Sequence, residues 1–211
     1  MTAFVAELRR LLGDDAVLSS AADMAAYRGD LAVPVGSDLL CVVRPRSSAE
    51  LSEVVRACAR HGHAITPRGG GTGLAGGATP INPRADVLLS FERMRRIRSL
   101  DTVGNVLVAE AGCPLRMVQD AAQAAGRLFG LDHGGAGSSQ IGGNLSTNAG
   151  GINVLRYGMA RQQVLGLEVV LADGSLLNML RPLPKNNAGY DLNQLFLGSE
   201  GTLGLITAAA L

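Results

Sequence analysis

The chain has 211 residues, 47% of them hydrophobic, and a formal net charge of +1, which describes a globular protein able to bury a sizeable core. Its 19 basic residues are balanced by 18 acidic ones and only 3% of the chain is aromatic, so neither the positive field nor the stacking platforms of a nucleic-acid partner are present. No apolar run approaches the length of a membrane span, and the charged N-terminus lacks a signal-peptide core.

The three cysteines, Cys41, Cys58 and Cys113, form no CxxC pair, and the first two sit in apolar contexts that predict buried thiols. A reducing compartment follows, and the expected location is cytoplasmic. Glycine supplies 28 residues, about twice the usual share of ~7%, in clusters and not periodically, which points to several tight ligand loops.

In chain order, residues 4–12 carry apolar positions at helical spacing and stop at Gly13, followed by an irregular stretch through AAYRGDLAVPVGS. Leu39 to Val43 reads as a buried strand. Ser47 and Glu50 then form a capping box for a helix with Leu51, Val54, Val55 and Cys58 on one face and Gly62 at its end. A strand at Ala64 to Thr66 completes a small βαβ unit.

That strand feeds TPRGGGTGLAGGATP, where six of the nine residues from Gly69 to Gly77 are glycine. Without Cβ atoms, backbone N–H groups turn toward a ligand and approach it closely, and such nests favour anions. A flexible linker would be richer in Ser and other polar residues. Gly71, Gly73 and Gly76 spell GxGxxG, but Pro80 and Pro83 and the strand-like DVLLS leave no room for the crossover helix of a dinucleotide fold. No GK[ST] exists either, since Lys185 is the only lysine. The loop is read as a phosphate-binding loop of another geometry.

Val87 to Ser90 is the next strand. The arginines of ERMRRIRSL read as a solvated face. Asn105 to Ala111 reads as a strand, and Pro114 opens a helix bearing Leu115, Val118, Ala122 and Ala125 and closed by Gly126, so a second strand-helix-strand unit is expected. Its exit is a second glycine cluster, Leu128 to Gly151. There Ser138 and Ser139 precede IGGNLSTNA, a short helix whose free N–H groups suit a pyrophosphate. Val164 to Leu171 and Ser175 to Leu180 flank Ala172, Asp173 and Gly174 as a hairpin, and a third cluster, GSEGTLG, leads into LITAAAL.

Three loops in this order, PRGGGTGLAGGATP, SSQIGGNLSTNAGG and GSEGTLGLIT, resemble the FAD-binding domain of the flavoproteins typified by vanillyl-alcohol oxidase and p-cresol methylhydroxylase, over roughly residues 38–211. NLSTNAGGINVLRYG, VLGLEVVLADGSLL and KNNAGYDLNQLFLGSEGTLG are most similar to the D-2-hydroxyglutarate dehydrogenase branch, close also to the glycolate oxidase flavin subunit and D-lactate dehydrogenases.

The resemblance implies an α+β fold of the p-cresol methylhydroxylase type with two subdomains, about 38–100 and 101–211, after an N-terminal segment 1–37, and FAD between them. It places the pyrophosphate on the backbone of Gly69, Gly70, Gly71, Thr72 and Gly73 and on Gly77 and Ala78, with Arg68 able to neutralise a phosphate. It sets Ser138, Ser139, Gly142, Gly143 and Asn148 along the cofactor, and Ile206 beside the adenine. Thr72 stands where some relatives carry a flavin-linking histidine, so FAD is expected to be non-covalent. His133 departs from the branch, which carries an apolar residue there; it is either a polar group near the flavin or a loop histidine satisfied by backbone. Asp191 and Glu200 read as structural.

The implied activity is oxidation of a D-2-hydroxy acid, of the 2-hydroxyglutarate, lactate or glycolate type, by hydride transfer to flavin N5, with an electron acceptor as second partner. Relatives draw their carboxylate clamp, metal ligands and base mostly from a C-terminal domain. This chain has three histidines, His61, His63 and His133, at no metal-ligand spacing, so no catalytic residue, metal site or substrate domain is expected within it. A non-catalytic FAD-binding subunit that needs a partner chain is the alternative.

Overall fold

Local signals and burial together explain why the chain forms two separate sheets. The computed structural model describes residues 3–27, 30, 39–82 and 85–211, so the irregular segment expected before Leu39 lies largely outside the described residues. Two compact units result: Met1–Arg93 with Val170–Leu176, and Met94–Val169 with Leu177–Leu211.

In the first unit, α1 (Ala3–Leu12) buries Phe4, Val5, Leu8 and Leu12, and a strand of two residues, β1 (Val17–Leu18), follows it. β2 (Cys41–Val43) is buried throughout and pairs antiparallel with β1. α2 (Ser48–His61) starts where expected: Ser47 Oγ accepts the Glu50 N–H at 3.1 Å. The reciprocal bond differs from the standard box, because Glu50 Oε2 accepts from Arg46 N, one residue earlier. Gly62 ends the helix at φ +70°.

β3 (Ile65–Arg68) runs two residues further than the pattern indicated and enters the glycine loop directly. β4 (Val87–Ser90) is wholly buried and pairs parallel with both β2 and β3, giving the order β1-β2-β4-β3. The βαβ unit thus exists, but β4 is inserted between its two strands. Four consecutive apolar-to-small residues with no polar face suit that central position.

The second unit is a five-stranded sheet of order β5-β6-β9-β7-β8, from β5 (Ile97–Asp101), β6 (Val106–Glu110), β7 (Gly166–Val170), β8 (Leu176–Asn178) and β9 (Leu205–Ala210). β6 pairs antiparallel with β5 and with β9. This overturns the second strand-helix-strand expectation. After α3 (Leu115–Ala124) comes a glycine-rich loop joined by the single-residue bridge Pro114 to Gln140, because GLDHGGAGSS offers no β-branched or aromatic run to build a strand. α3 itself matches expectation, with Leu115, Val118 and Ala122 buried. The hairpin β7–β8 also matches: Gly174 sits at φ +79° and Leu171 N donates to Ser175 O at 2.9 Å.

Of the arginine run, Arg95 and Arg96 are exposed as a solvated face would be, but Arg98 lies on β5, and Arg96 and Arg98 both reach buried carboxylates. Arg96 Nη2 and Arg98 Nε reach Glu110 Oε1 at 2.9 and 3.4 Å, and Arg98 Nη2 reaches Glu168 Oε1 at 3.0 Å. Glu110 is fully buried, and Glu168 is nearly so. Thr207 Oγ1 donates to Glu168 Oε1 at 2.8 Å, so charged and hydroxyl groups from β5, β6, β7 and β9 form one network. Burial pushes the Glu110 carboxyl up, but the Arg96 side chain and N–H outweigh it and hold the carboxyl below its ordinary range.

Candidate functional site

β3 delivers Arg68 and the glycine loop at the carboxyl end of the parallel sheet of the first unit. Gly69, Gly70, Gly71 and Thr72 are half-buried, Gly73 is exposed, and among the described residues no backbone hydrogen bond is donated by Gly70, Gly71, Thr72 or Gly73. Gly71 lies at φ +67°, and a side chain there would begin on top of the Arg68 guanidinium, so the position admits glycine on two counts. Partly exposed N–H donors over a guanidinium are a donor set that suits a diphosphate. Burial holds the Arg68 pKa below its ordinary value, with Asp30 and Tyr27 opposing that shift. Asp30, which the sequence pattern did not single out, accepts the Gly76 N–H at 2.8 Å. Gly77 is exposed and Ala78 half-buried in the same loop.

In the second unit the expected residues gather around α4 (Ile141–Ser146), whose sequence IGGNLS buries Ile141, Gly142, Asn144 and Leu145. A side chain at Gly142 would start 2.7 Å from Ala111 Cβ, so this glycine is required by packing at the end of β6. Gly143 is half-buried. Ser138 is exposed, whereas Ser139 is buried with its N–H on Gly135 O and its carbonyl on Leu115 N. Asn148 stands just past the helix at φ +48°, and its Oδ1 accepts Arg161 N–H at 3.0 Å. The third loop closes on the same helix: Gly198 N donates to Leu145 O and Glu200 N to Ser146 O. Ile206 is buried on β9, ahead of the residues paired with β6.

His133 is held inside this unit. Gly135 N–H donates to its Nδ1 at 3.1 Å, so Nδ1 is unprotonated and Nε2 carries the hydrogen that Asn144 Oδ1 receives at 3.2 Å. Asn144 Nδ2 in turn donates to Ser139 Oγ at 3.2 Å. The ring thus has partners within its own loops, one of them the backbone N–H of Gly135. Asp191 has a structural role, accepting from Asn193 and Gln194 at the start of α5 (Asn193–Phe196); the Gln194 contact leads in holding its carboxyl below the ordinary range.

Among the described residues no cluster of His, Cys, Asp or Glu is arranged to hold a metal ion, and no helix is long and apolar enough to cross a membrane. All three cysteines are free and buried, as the apolar contexts of two of them foretold. Burial pushes the Cys41 and Cys58 thiols up to about 12 and Cys113 to about 11.

Two units, one with a glycine loop after β3 and the other with glycine-rich loops around α4, make up an architecture found in other proteins. Solved structures share it. The chain superposes on alkyldihydroxyacetonephosphate synthase with a TM-score of 0.87 at 23% identity, covering 98% of this chain and 39% of that one. Against substrate-bound p-cresol methylhydroxylase the TM-score is 0.76 at 21% identity, covering 99% of this chain and 42% of that one. The α+β fold of the p-cresol methylhydroxylase type is therefore present. The model of a family of FAD binding domains matches residues 39–180, and the chain belongs to that family, with FAD as its cofactor. The chain is 49% identical over 170 residues to the D-2-hydroxyglutarate dehydrogenase, mitochondrial, of Bos taurus, a match that covers 81% of this chain and 31% of the relative. It thus spans about a third of that relative's length.

Proposed function

We propose that this chain is the FAD-binding part of a dehydrogenase acting on a D-2-hydroxy acid of the 2-hydroxyglutarate, lactate or glycolate type. The 49% identity to the bovine D-2-hydroxyglutarate dehydrogenase is the observation that carries the substrate class. When bound, FAD supplies the hydride acceptor, its N5. The chain's own residues bind and orient it. Backbone N–H groups of Gly69 to Gly73, with Gly77 and Ala78, hold the pyrophosphate, and the Arg68 guanidinium below Gly71 lowers the cost of bringing its charge there. Ser138, Ser139, Gly142, Gly143 and Asn148 shape the wall along the cofactor, and Ile206 faces the adenine. For Ser139, Gly142 and Asn148, internal bonds and packing support an indirect role, holding the shape of the loops.

Thr72 in place of a linking histidine supports non-covalent attachment. The division into an N-terminal segment and two subdomains remains part of the reading. So does a reducing compartment, the cytoplasm in the first instance, supported by three buried free thiols. In this reading the substrate clamp, the base and the route to an electron acceptor come from the part of the dehydrogenase that this chain does not match, about two thirds of the bovine relative.

Anaerobic mixing of the FAD-loaded chain with D-2-hydroxyglutarate, D-lactate and glycolate tests that division of labour. The flavin should stay oxidised, because positioning and a general base, which alone contributes roughly 10²–10⁴, are both needed for rapid reduction. Bleaching within seconds would place the catalytic groups in these residues. A chimera with the remainder of the bovine relative should be reduced by the D but not the L acid; reduction by neither favours a binding subunit that needs its own partner chain.

A further inference from the structure

The glycine loop of the first unit is anchored by a residue 46 positions earlier in the chain. Asp30 is half-buried, its Oδ2 accepts the Gly76 N–H at 2.8 Å, and the same oxygen lies 3.6 Å from where a side chain at Gly73 would begin. The Arg68 guanidinium occupies the space next to Gly71. A carboxylate and a guanidinium therefore both contact the stretch 71–76.

A carboxylate beside a loop that accepts a diphosphate is at first sight misplaced, because like charges repel. Two features offset this. Arg68 is the counter-charge, and Asp30 acts on it electrostatically in the direction that favours its protonated form. The loop itself is rich in glycine, including Gly71 and Gly76 at φ +67° and +80°, and such a chain loses more freedom on ordering than any other. A charge-assisted hydrogen bond from a distant residue is a strong way to remove that freedom before the ligand arrives.

We propose that Asp30 is a positioning residue of the glycine loop: by clamping Gly76 it presents the N–H groups of Gly70 to Gly73 to the FAD diphosphate, while Arg68 cancels its charge. This rests on the assignment of the first loop to FAD made above. Repulsion and clamping predict opposite signs. If repulsion dominated, removing Asp30 would tighten FAD; if clamping dominates, removing it weakens FAD.

Asp30→Ala and Asp30→Asn separate the two, since asparagine keeps an acceptor oxygen and loses the charge. FAD affinity is measured by flavin fluorescence on the 211-residue chain, with folding checked by circular dichroism, and amide exchange at Gly76 is followed without FAD. Asp30→Ala should weaken FAD about tenfold, the equivalent of ~1.4 kcal/mol, and expose the Gly76 amide to exchange. Asp30→Asn should stay within about threefold of the parent, with Gly76 still protected, because a merely electrostatic role would not be rescued by the neutral amide. An Asp30→Ala chain that binds FAD equally well or more tightly overturns the inference, as does Asp30→Asn behaving like Asp30→Ala. Gly71→Val is the control. If it abolishes FAD binding while Asp30→Ala does nothing, the clamp alone is refuted; if it leaves FAD bound, the loop assignment fails and the clamp with it.

Discussion

The buried charge network of the second unit makes an ordering of stabilities that simple burial would invert. Glu110 is fully buried and Arg98 is 28% exposed by side chain, so burial alone ranks Glu110 as the more costly residue to change. The partners say otherwise. Arg96, the main partner of Glu110, is 74% exposed and can turn to water when the carboxylate goes, and Arg98 keeps Glu168. Glutamine at 110 also retains an oxygen for the Arg96 N–H, now accepted at 2.9 Å. Glu110→Gln should therefore cost about 1.5–3 kcal/mol, the range of a hydrogen bond to a charged group. Arg98→Leu removes the cation shared by the two buried carboxylates Glu110 and Glu168, which should cost about 3–5 kcal/mol. Urea denaturation at pH 7, followed by far-UV circular dichroism with the m-values compared, measures both. Equal losses, or a smaller loss for Arg98→Leu, would refute the argument. Acid supplies a second check: the folded Glu110 carboxyl lies below its ordinary range, so its contribution is present above about pH 4.3 and is lost as pH falls through the folded value. Glu110→Gln should flatten that acid limb.

FAD should leave the protein on acid precipitation, because Thr72 offers no linking nucleophile; yellow colour retained in the pellet would show a covalent bond. Ser47→Ala should destabilise the first unit by about 1 kcal/mol through loss of the bond to Glu50 N–H, read as a lower urea midpoint. At pH 8 the native chain should resist an aromatic disulfide reagent for minutes and yield three equivalents of thiol after denaturation, since burial raises all three thiols well above that pH. Rapid labelling of the native chain would contradict the burial.

What the sequence by itself determined is local chemistry. Ser47, Glu50 and Gly62 set both ends of α2, the Ala172-Asp173-Gly174 turn set the β7–β8 hairpin, and six glycines in nine residues marked the tight loop after β3, because caps and turns depend on side chains a few positions apart. Joint order of three such loops was enough to indicate the family. Strand neighbours were not legible, since pairing is chosen by surfaces far apart in the chain: β4 enters between β2 and β3, and β9 pairs with β6 where a parallel partner after α3 was expected. β5 was hidden because Arg98, and Arg96 just before the strand, look solvated until Glu110 and Glu168 are brought beside them. Asp30 was invisible for the same reason. Its contact with Gly76 spans 46 residues and leaves no periodicity, so only the folded backbone reveals a carboxylate at the glycine loop.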